Sequence, residues 1–229
     1  MKILLISGHG AGDPGAVSTV GGKAYREAEE TRQLATDVSA ALSGAAHVDI
    51  YPTERNAFID YGDGVLGSAA RFSQYDYVLE IHFNAYRYDP GNGVTKGVEC
   101  YVTTEEKTLG VEEAMCRNIS TLGFINRGVK RKNWAVIKTA KNAGVSSALL
   151  EVCFIDDADD MKIYEANRKK VAAAIAEGVM EGFGLKKNEA PGAREWVQVK
   201  AGLTDETMNY LADYKYGDEL LEKLAAVMK

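Results

Sequence analysis

"YDYVLEIHFNA", residues 75–85, sets the architecture. Tyr77, Val78, Leu79 and Ile81 form an apolar run of strand length, the pattern of a strand covered on both faces. His82 then stands where the backbone is about to leave the sheet. The chain has only three histidines, so a strand-end position for one of them is notable. A second apolar run, "KILLIS" at residues 2–7, is followed two positions on by His9. Two strands that each end in a histidine would bring both to one sheet edge. In open α/β sheets, ligands bind beyond that carboxyl edge.

Outward from these runs, strand and helix patterns alternate. Helix is predicted over "YREAEETRQLATDVSAALSG", with Leu34, Val38, Ala41 and Leu42 at helical spacing. A short strand follows at "HVDIYP". Residues 62–75 read as an interrupted helix, and "GVECYVT" as a strand alternating in period two. Residues 108–122 read as helix. "NWAVIK" and "SSALLEVCF" read as strands, and residues 156–184 as helix, in one or two pieces. The alternation predicts an α/β fold, with a twisted, mostly parallel central sheet and helices on both faces. "LKKNEAPGAREW" breaks the pattern and reads as a linker over 185–194. Residues 195–229 carry two short amphipathic patterns, a small helical segment after a main domain of residues 1–184.

Composition narrows the function. A net charge of −6 argues against a nucleic-acid surface. No apolar run is long enough to span a membrane. "MKILLISGHG" lacks the length and cleavage site of a signal peptide and reads as a buried first strand. Cys100, Cys116 and Cys153 show no metal or disulfide spacing, which fits a reducing, cytosolic origin.

"GAGDPG", residues 10–15, matches G-x-G-x-x-G, but a nucleotide fingerprint needs a helix to begin within the glycines. Here helix-forming sequence resumes only near residue 25, so no nucleotide cofactor is expected. His9, His82 and a glutamate at the start of the first helix would instead make a three-ligand metal site with an open position. "EAEE" offers Glu27, Glu29 and Glu30, and spacing alone does not choose among them. His47 has no comparable setting. Glu151, between "SSALL" and "VCF", cannot sit in an apolar core without a partner and must face a metal, a cation or a site mouth. Asn84 would point to the same side as His82, as a candidate for binding substrate or supporting the ligands, or equally as a turn residue. Arg127 and Lys130, in "NRGVKRKNW", are candidates for contacting substrate carboxylates or carbonyls.

Four motifs in register carry a resemblance: "GHGAGDPGA" at 8–16, the glutamate of "YREAEETR", "IHFNA" at 81–85 and "LLEVCFIDD" at 149–157. Over about residues 1–184 the chain resembles the zinc-dependent N-acetylmuramoyl-L-alanine amidases of the amidase-3 type, and is closer to their short phage-lysin branch. The resemblance implies one zinc per chain, held by His9, Glu27 and His82, with Glu151 as the catalytic carboxylate. It prefers Glu27 to its neighbours because Thr31 fills a position four residues on that is Asn or Thr in the family. It implies hydrolysis of the amide between N-acetylmuramic acid and L-alanine in peptidoglycan. A phage endolysin would be made in the cytoplasm and reach the wall after holin-type release. Position 80, often Ser in the bacterial enzymes, is Glu80 here. The alternatives are a zinc peptidase acting on the stem peptide and a non-catalytic wall-binding module. For residues 195–229 the expectation is wall targeting or self-association into a homo-oligomer.

Overall fold

The computed structural model describes residues 1–187 and 193–228. Pro191 and Gly192, at the centre of the expected linker, and the Trp196 side chain lie outside the described residues. The chain divides into two compact units, Met1–Lys186 and Lys187–Lys229.

The first unit begins with β1 (Lys2–Ser7), the hairpin β2 (Val17–Val20) and β3 (Lys23–Arg26), and α1 (Glu27–Leu42). β4 (His47–Ile50), α2 (Ala57–Gly62), α3 (Leu66–Ala70) and β5 (Tyr77–Asn84) follow. Next come β6 (Val98–Val102), α4 (Gly110–Ser120), β7 (Asn126–Arg131), α5 (Ala135–Asn142), β8 (Ser146–Phe154) and α6 (Ala158–Phe183). The six-stranded sheet has the order β4-β1-β5-β8-β6-β7. Its pairs are parallel except β6 with β8, so β6 and β7 run against the other four strands.

Side-chain alternation splits the core between the two faces. Ile3, Leu5, Leu79, Ile81 and Leu150 pack with residues of α1, α4 and α6 on one side. Leu4, Ile6 and Val78 pack with Ala57, Leu66, Val136 and Ala140 from α2, α3 and α5 on the other. On β5 the second set continues as Glu80, His82 and Asn84, because residues two apart share a face. The second face therefore changes from apolar to charged toward the strand's carboxyl end.

Three local predictions are corrected. "NWAVIK" is not a strand: Trp134 caps α5 with extended backbone, and Val136, Ile137 and Ala140 form its buried stripe. Six residues are too few for periodicity to separate helix from strand. "NRGVKR", read as a charge run, is the edge strand β7. An edge strand tolerates charge, so it need not show apolar alternation. Residues 17–26, placed mostly in a loop, form a hairpin with a two-residue Gly-Gly turn. The long last helix does come in two pieces, with non-helical backbone at Asn167.

The second unit holds α7 (Ala193–Ala201), α8 (Asp205–Ala212) and α9 (Gly217–Val227). The sequence predicts two helices here, and the described residues form three. Val197 of α7 joins Met208, Leu221 and Ala225 in a core of the unit's own.

Candidate metal centre

The site is built at the carboxyl ends of β1 and β5, which lie side by side. The Gly8 amide donates to the Ile81 carbonyl at 2.9 Å, tying the two strand ends together. Gly8 is required there: a Cβ would come within 2.4 Å of the His82 ring. His9 then turns with a φ of 62°, a left-handed conformation rare for a non-glycine residue. Arg32 holds this turn through its guanidinium, donating to the carbonyls of His9 at 3.0 Å and Gly8 at 3.3 Å. The same guanidinium bonds the carbonyls of Ala28, Thr53 and Arg55.

Glu27 opens α1 and is 3% exposed. The chain reaches it through β2 and β3, so the helix starts well beyond the glycine loop. Its Oε2 accepts from the Ala16 amide at 2.9 Å and faces His9 Nε2 at 3.1 Å. Its Oε1 accepts from the Phe83 amide at 3.1 Å and faces His82 Nδ1 at 2.8 Å. At Gly15 a Cβ would meet His9 Cδ2 at 2.6 Å and Glu27 Oε2 at 2.8 Å, so only glycine lets the loop pass this closely.

Each histidine also has a carboxylate on its far nitrogen. His9 Nδ1 lies 2.7 Å from Asp13 Oδ2, and His82 Nε2 lies 3.1 Å from Glu80 Oε1. Each imidazole thus turns one nitrogen toward Glu27 and has the other fixed by an acid, the arrangement that orients metal-bound histidines. The ligand atoms of His9, Glu27 and His82 all lie within 4.8 Å of one another. Two imidazoles and one carboxylate are a donor set that suits zinc.

Charge reflects this crowding. Burial opposes charge on both histidines, yet bonding to Glu27, with Asp13 or Glu80, raises both above their ordinary value. Burial also works against the Glu27 carboxylate, but the two histidines hold it well below the usual range. A metal must displace those protons, so binding should release them.

Glu151 stands on β8 directly opposite His82 on one side and Glu99 of β6 on the other. Its Oε2 is buried without a hydrogen-bond partner. Burial pushes its carboxyl up to about 7; His82 opposes this, while Glu27, Glu99 and Glu80 add to it. That value suits a group that takes and returns a proton near neutrality. A cavity of about 300 Å³ joins Glu151 to His9 and His82, with Phe58, Trp134 and Leu149 among its apolar walls. A wider groove of about 600 Å³ beside α6 is lined by Lys23, Glu30, Glu165 and Arg168. Its charges largely pair with one another or with α1, and it lacks the histidine–glutamate cluster.

Asn84, Arg127 and Lys130 do not line the 300 Å³ cavity. They converge on Glu99, whose Oε1 accepts from Asn84 Nδ2 at 2.9 Å. Its Oε2 accepts from Arg127 Nε at 2.5 Å and from Lys130 Nζ. Glu99, Asp13, Arg32, Phe58 and Trp134 also belong to the centre or its surroundings, beyond the residues that the sequence singles out. Period two in "GVECYVT" already set Glu99 apart from Val98 and Cys100, and that signal would have found it.

The fold and this cluster define an α/β protein with a three-ligand candidate metal site at its sheet edge. The family model described as N-acetylmuramoyl-L-alanine amidase matches residues 3–181, and the chain belongs to that family. The N-acetylmuramoyl-L-alanine amidase LytC of Bacillus subtilis (strain 168) is 30% identical over 181 residues, covering 78% of this chain and 34% of that protein. This chain therefore spans about a third of that relative's length. The sporulation-specific N-acetylmuramoyl-L-alanine amidase of the same organism is 27% identical over 209 residues, covering 84% of this chain and 72% of that protein. In fold, the chain resembles the crystal structure of an N-acetylmuramoyl-L-alanine amidase from Clostridium difficile 630. The TM-score is 0.65 at 22% identity, covering 80% of this chain and 96% of that one.

Proposed function

We propose that this chain hydrolyses the amide joining N-acetylmuramic acid to L-alanine in peptidoglycan, using one zinc held by His9, Glu27 and His82. The observation that carries the reading is the buried, unpartnered oxygen of Glu151 in the same cavity as the histidine–glutamate cluster. Family membership and the names of both relatives support the substrate.

Zinc bound there would supply a Lewis acid at the sheet edge. Asp13 and Glu80 hold the two imidazoles in the tautomer that presents the other nitrogen to the centre. The Glu151 carboxylate accepts a proton from water as the water oxygen bonds to the lactyl carbonyl carbon and the carbonyl π electrons move onto its oxygen. As the carbon–nitrogen bond breaks, Glu151 delivers that proton to the leaving nitrogen of L-alanine. Phe58, Trp134 and Leu149 wall the cavity with apolar surface, which limits water around the reacting groups.

The setting we propose is a phage-type lysin that meets the wall after release through the membrane, with Lys187–Lys229 as a wall-targeting unit. Its support is the resemblance to the short lysin branch and the exposed Tyr210, Tyr214 and Tyr216.

Digestion of purified peptidoglycan tests the reaction. The expected products are intact glycan chains and peptides with a new L-alanine amino terminus, with activity lost to a chelator and restored by zinc. New termini at any other residue would instead establish a peptidase.

A further inference from the structure

Glu99 is a buried carboxylate held by two cations, an amide and a phenol. It is 2% exposed. Besides Asn84, Arg127 and Lys130, it accepts from the Tyr101 hydroxyl at 2.8 Å. Burial alone would raise its pKa, but Arg127, Lys130 and Tyr101 hold it below the ordinary value. One negative charge against two positive ones leaves the cluster with an excess of one cation. Arg127 and Lys130 remain 37% and 40% exposed at their side chains. Arg127 uses Nε on Glu99 and Nη1 on the Lys96 carbonyl at 3.4 Å, and packs its guanidinium over the Phe154 ring at 5.1 Å, which fixes its plane and leaves Nη2 to a ligand. Lys130 spends one donor on Glu99, and an ammonium has three.

The position matters as much as the charge. His82, Glu151 and Glu99 occupy one row across β5, β8 and β6, and the cations belong to β7, the next strand out. Strands lie about 4.8 Å apart, so the cations stand roughly 10 Å from Glu151 along the sheet edge. An extended peptide advances about 3.3–3.6 Å per residue. That reach covers the first two or three residues beyond the cleaved amide.

We infer that Arg127 and Lys130, set in place by Glu99, form an anion subsite for a carboxylate on the peptide side of the substrate, so that the enzyme prefers stem peptides with free carboxylates to amidated ones. This rests on the amidase reading for its substrate, and its test does not require cleavage. The remaining Arg127 and Lys130 donors give a carboxylate charge-assisted hydrogen bonds, whereas a carboxamide offers one neutral acceptor.

The experiment measures binding to the zinc-loaded full chain carrying Glu151→Gln. Two N-acetylmuramoyl peptides of identical sequence are compared, one with free carboxyls and one with every carboxyl carried as a carboxamide. The free-carboxyl form should bind about 10-fold tighter or more. The gap should shrink as salt rises. Arg127→Gln combined with Lys130→Gln should close it while binding of the amidated peptide changes little. Lys130→Gln alone, which leaves Arg127 on Glu99, should reduce it and guards against loss of fold in the pair. Equal binding of the two peptides by the Glu151→Gln chain would overturn the inference, as would a full gap in folded variants. Failure of the amidase reading shows up separately, as no cleavage by the wild-type chain.

Discussion

Glu80 and His82 stand two residues apart on β5, and Glu80 Oε1 lies 3.1 Å from His82 Nε2. Both face the charged end of the sheet's second side. Glu80 is 4% exposed, and its other oxygen is buried without a hydrogen-bond partner. A carboxylate placed this way makes Nε2 the donor and leaves Nδ1 as the nitrogen that a metal could take. Glu80 therefore has a structural use: it gives His82 what Asp13 gives His9.

Glu80→Ala should weaken zinc binding by about 10- to 100-fold, the usual cost of losing a metal ligand's orienting partner. Glu80→Gln, which can still accept from Nε2, should recover part of it. Competition against a fluorescent chelator reads both. Unchanged affinity in the alanine variant would mean that His82 needs no such partner.

For Glu151→Gln, turnover should fall by about 10²–10⁴-fold, the range for loss of a general base. Zinc content measured on the same preparation should stay at one per chain. A variant that hydrolyses muropeptides at near the wild-type rate would remove Glu151 from the proton path.

The metal-free protein should lose stability as pH rises from about 5 to 8. Glu151 titrates at about 7 in the fold against 4.5 when unfolded. Between those values the folded state holds the proton and the unfolded state has released it, so stability falls with pH. The interval is about 2.5 pH units, worth roughly 3 kcal/mol at about 1.4 kcal/mol per unit. His82, also raised, has the same sign: its contribution is present below 6.5 and is lost as pH climbs through its folded value. Glu27, held low, works the other way and matters only in stronger acid. Glu151→Gln should flatten the decline between 4.5 and 7, by roughly 6–12 °C in Tm across that window. Melting curves in chelator, at several pH values, give the comparison; parallel slopes for the two proteins would contradict it.

The two histidines and Glu151 can be read from the chain because they stand where apolar runs stop or break, whereas spacing does not choose Glu27 from Glu29 and Glu30. His9 follows "KILLIS", His82 ends "YVLEI", and Glu151 interrupts "SSALL–VCF". Each is a polar residue at a position whose strand pattern fixes its place. What could not be read depends on side chains that reach across the sequence. Arg32 sits on a helix and looks like surface charge, yet it binds carbonyls 21–24 positions away. The chemistry of Asn84, Arg127 and Lys130 points toward substrate, and nothing local in the sequence shows that Glu99 gathers all three. The "NWAVIK" error is different in kind, since a six-residue apolar stretch fits either period.

Arg32→Ala should lower both stability and metal affinity. It removes the donors that hold the Gly8 and His9 carbonyls and leaves His9 alone to sustain a positive φ. A charge-assisted hydrogen bond contributes about 1.5–3 kcal/mol, and partly exposed ones contribute less, so a loss of roughly 2–3 kcal/mol is expected. Arg32→Lys should not restore it, because a point charge cannot serve several carbonyls from a planar fork. Denaturant unfolding with a parallel zinc titration tests this. Full rescue by lysine would show that only the charge mattered.

The second unit's own core predicts what truncation does. Val197, Met208, Leu221 and Ala225 are buried against one another, so Met1–Lys186 does not need Lys187–Lys229 to complete its sheet. A chain ending at Lys186 should keep its melting transition and its turnover of small soluble muropeptides. Four buried side chains among the described residues make a small core, near the lower size limit for independent folding, so the isolated tail should melt broadly and early. Tyr210 is 80% exposed and Tyr214 59%, and those aromatic faces are what the tail could offer to a glycan. If the tail does engage the wall, removing it lowers the effective concentration of the catalytic unit at its substrate. Pull-down on purified walls, with Glu151→Gln in both forms to prevent digestion, should show the shorter chain retained at least several-fold less. Equal retention would rule out targeting. A change from dimer to monomer on truncation, seen by light scattering, would assign the tail to self-association instead.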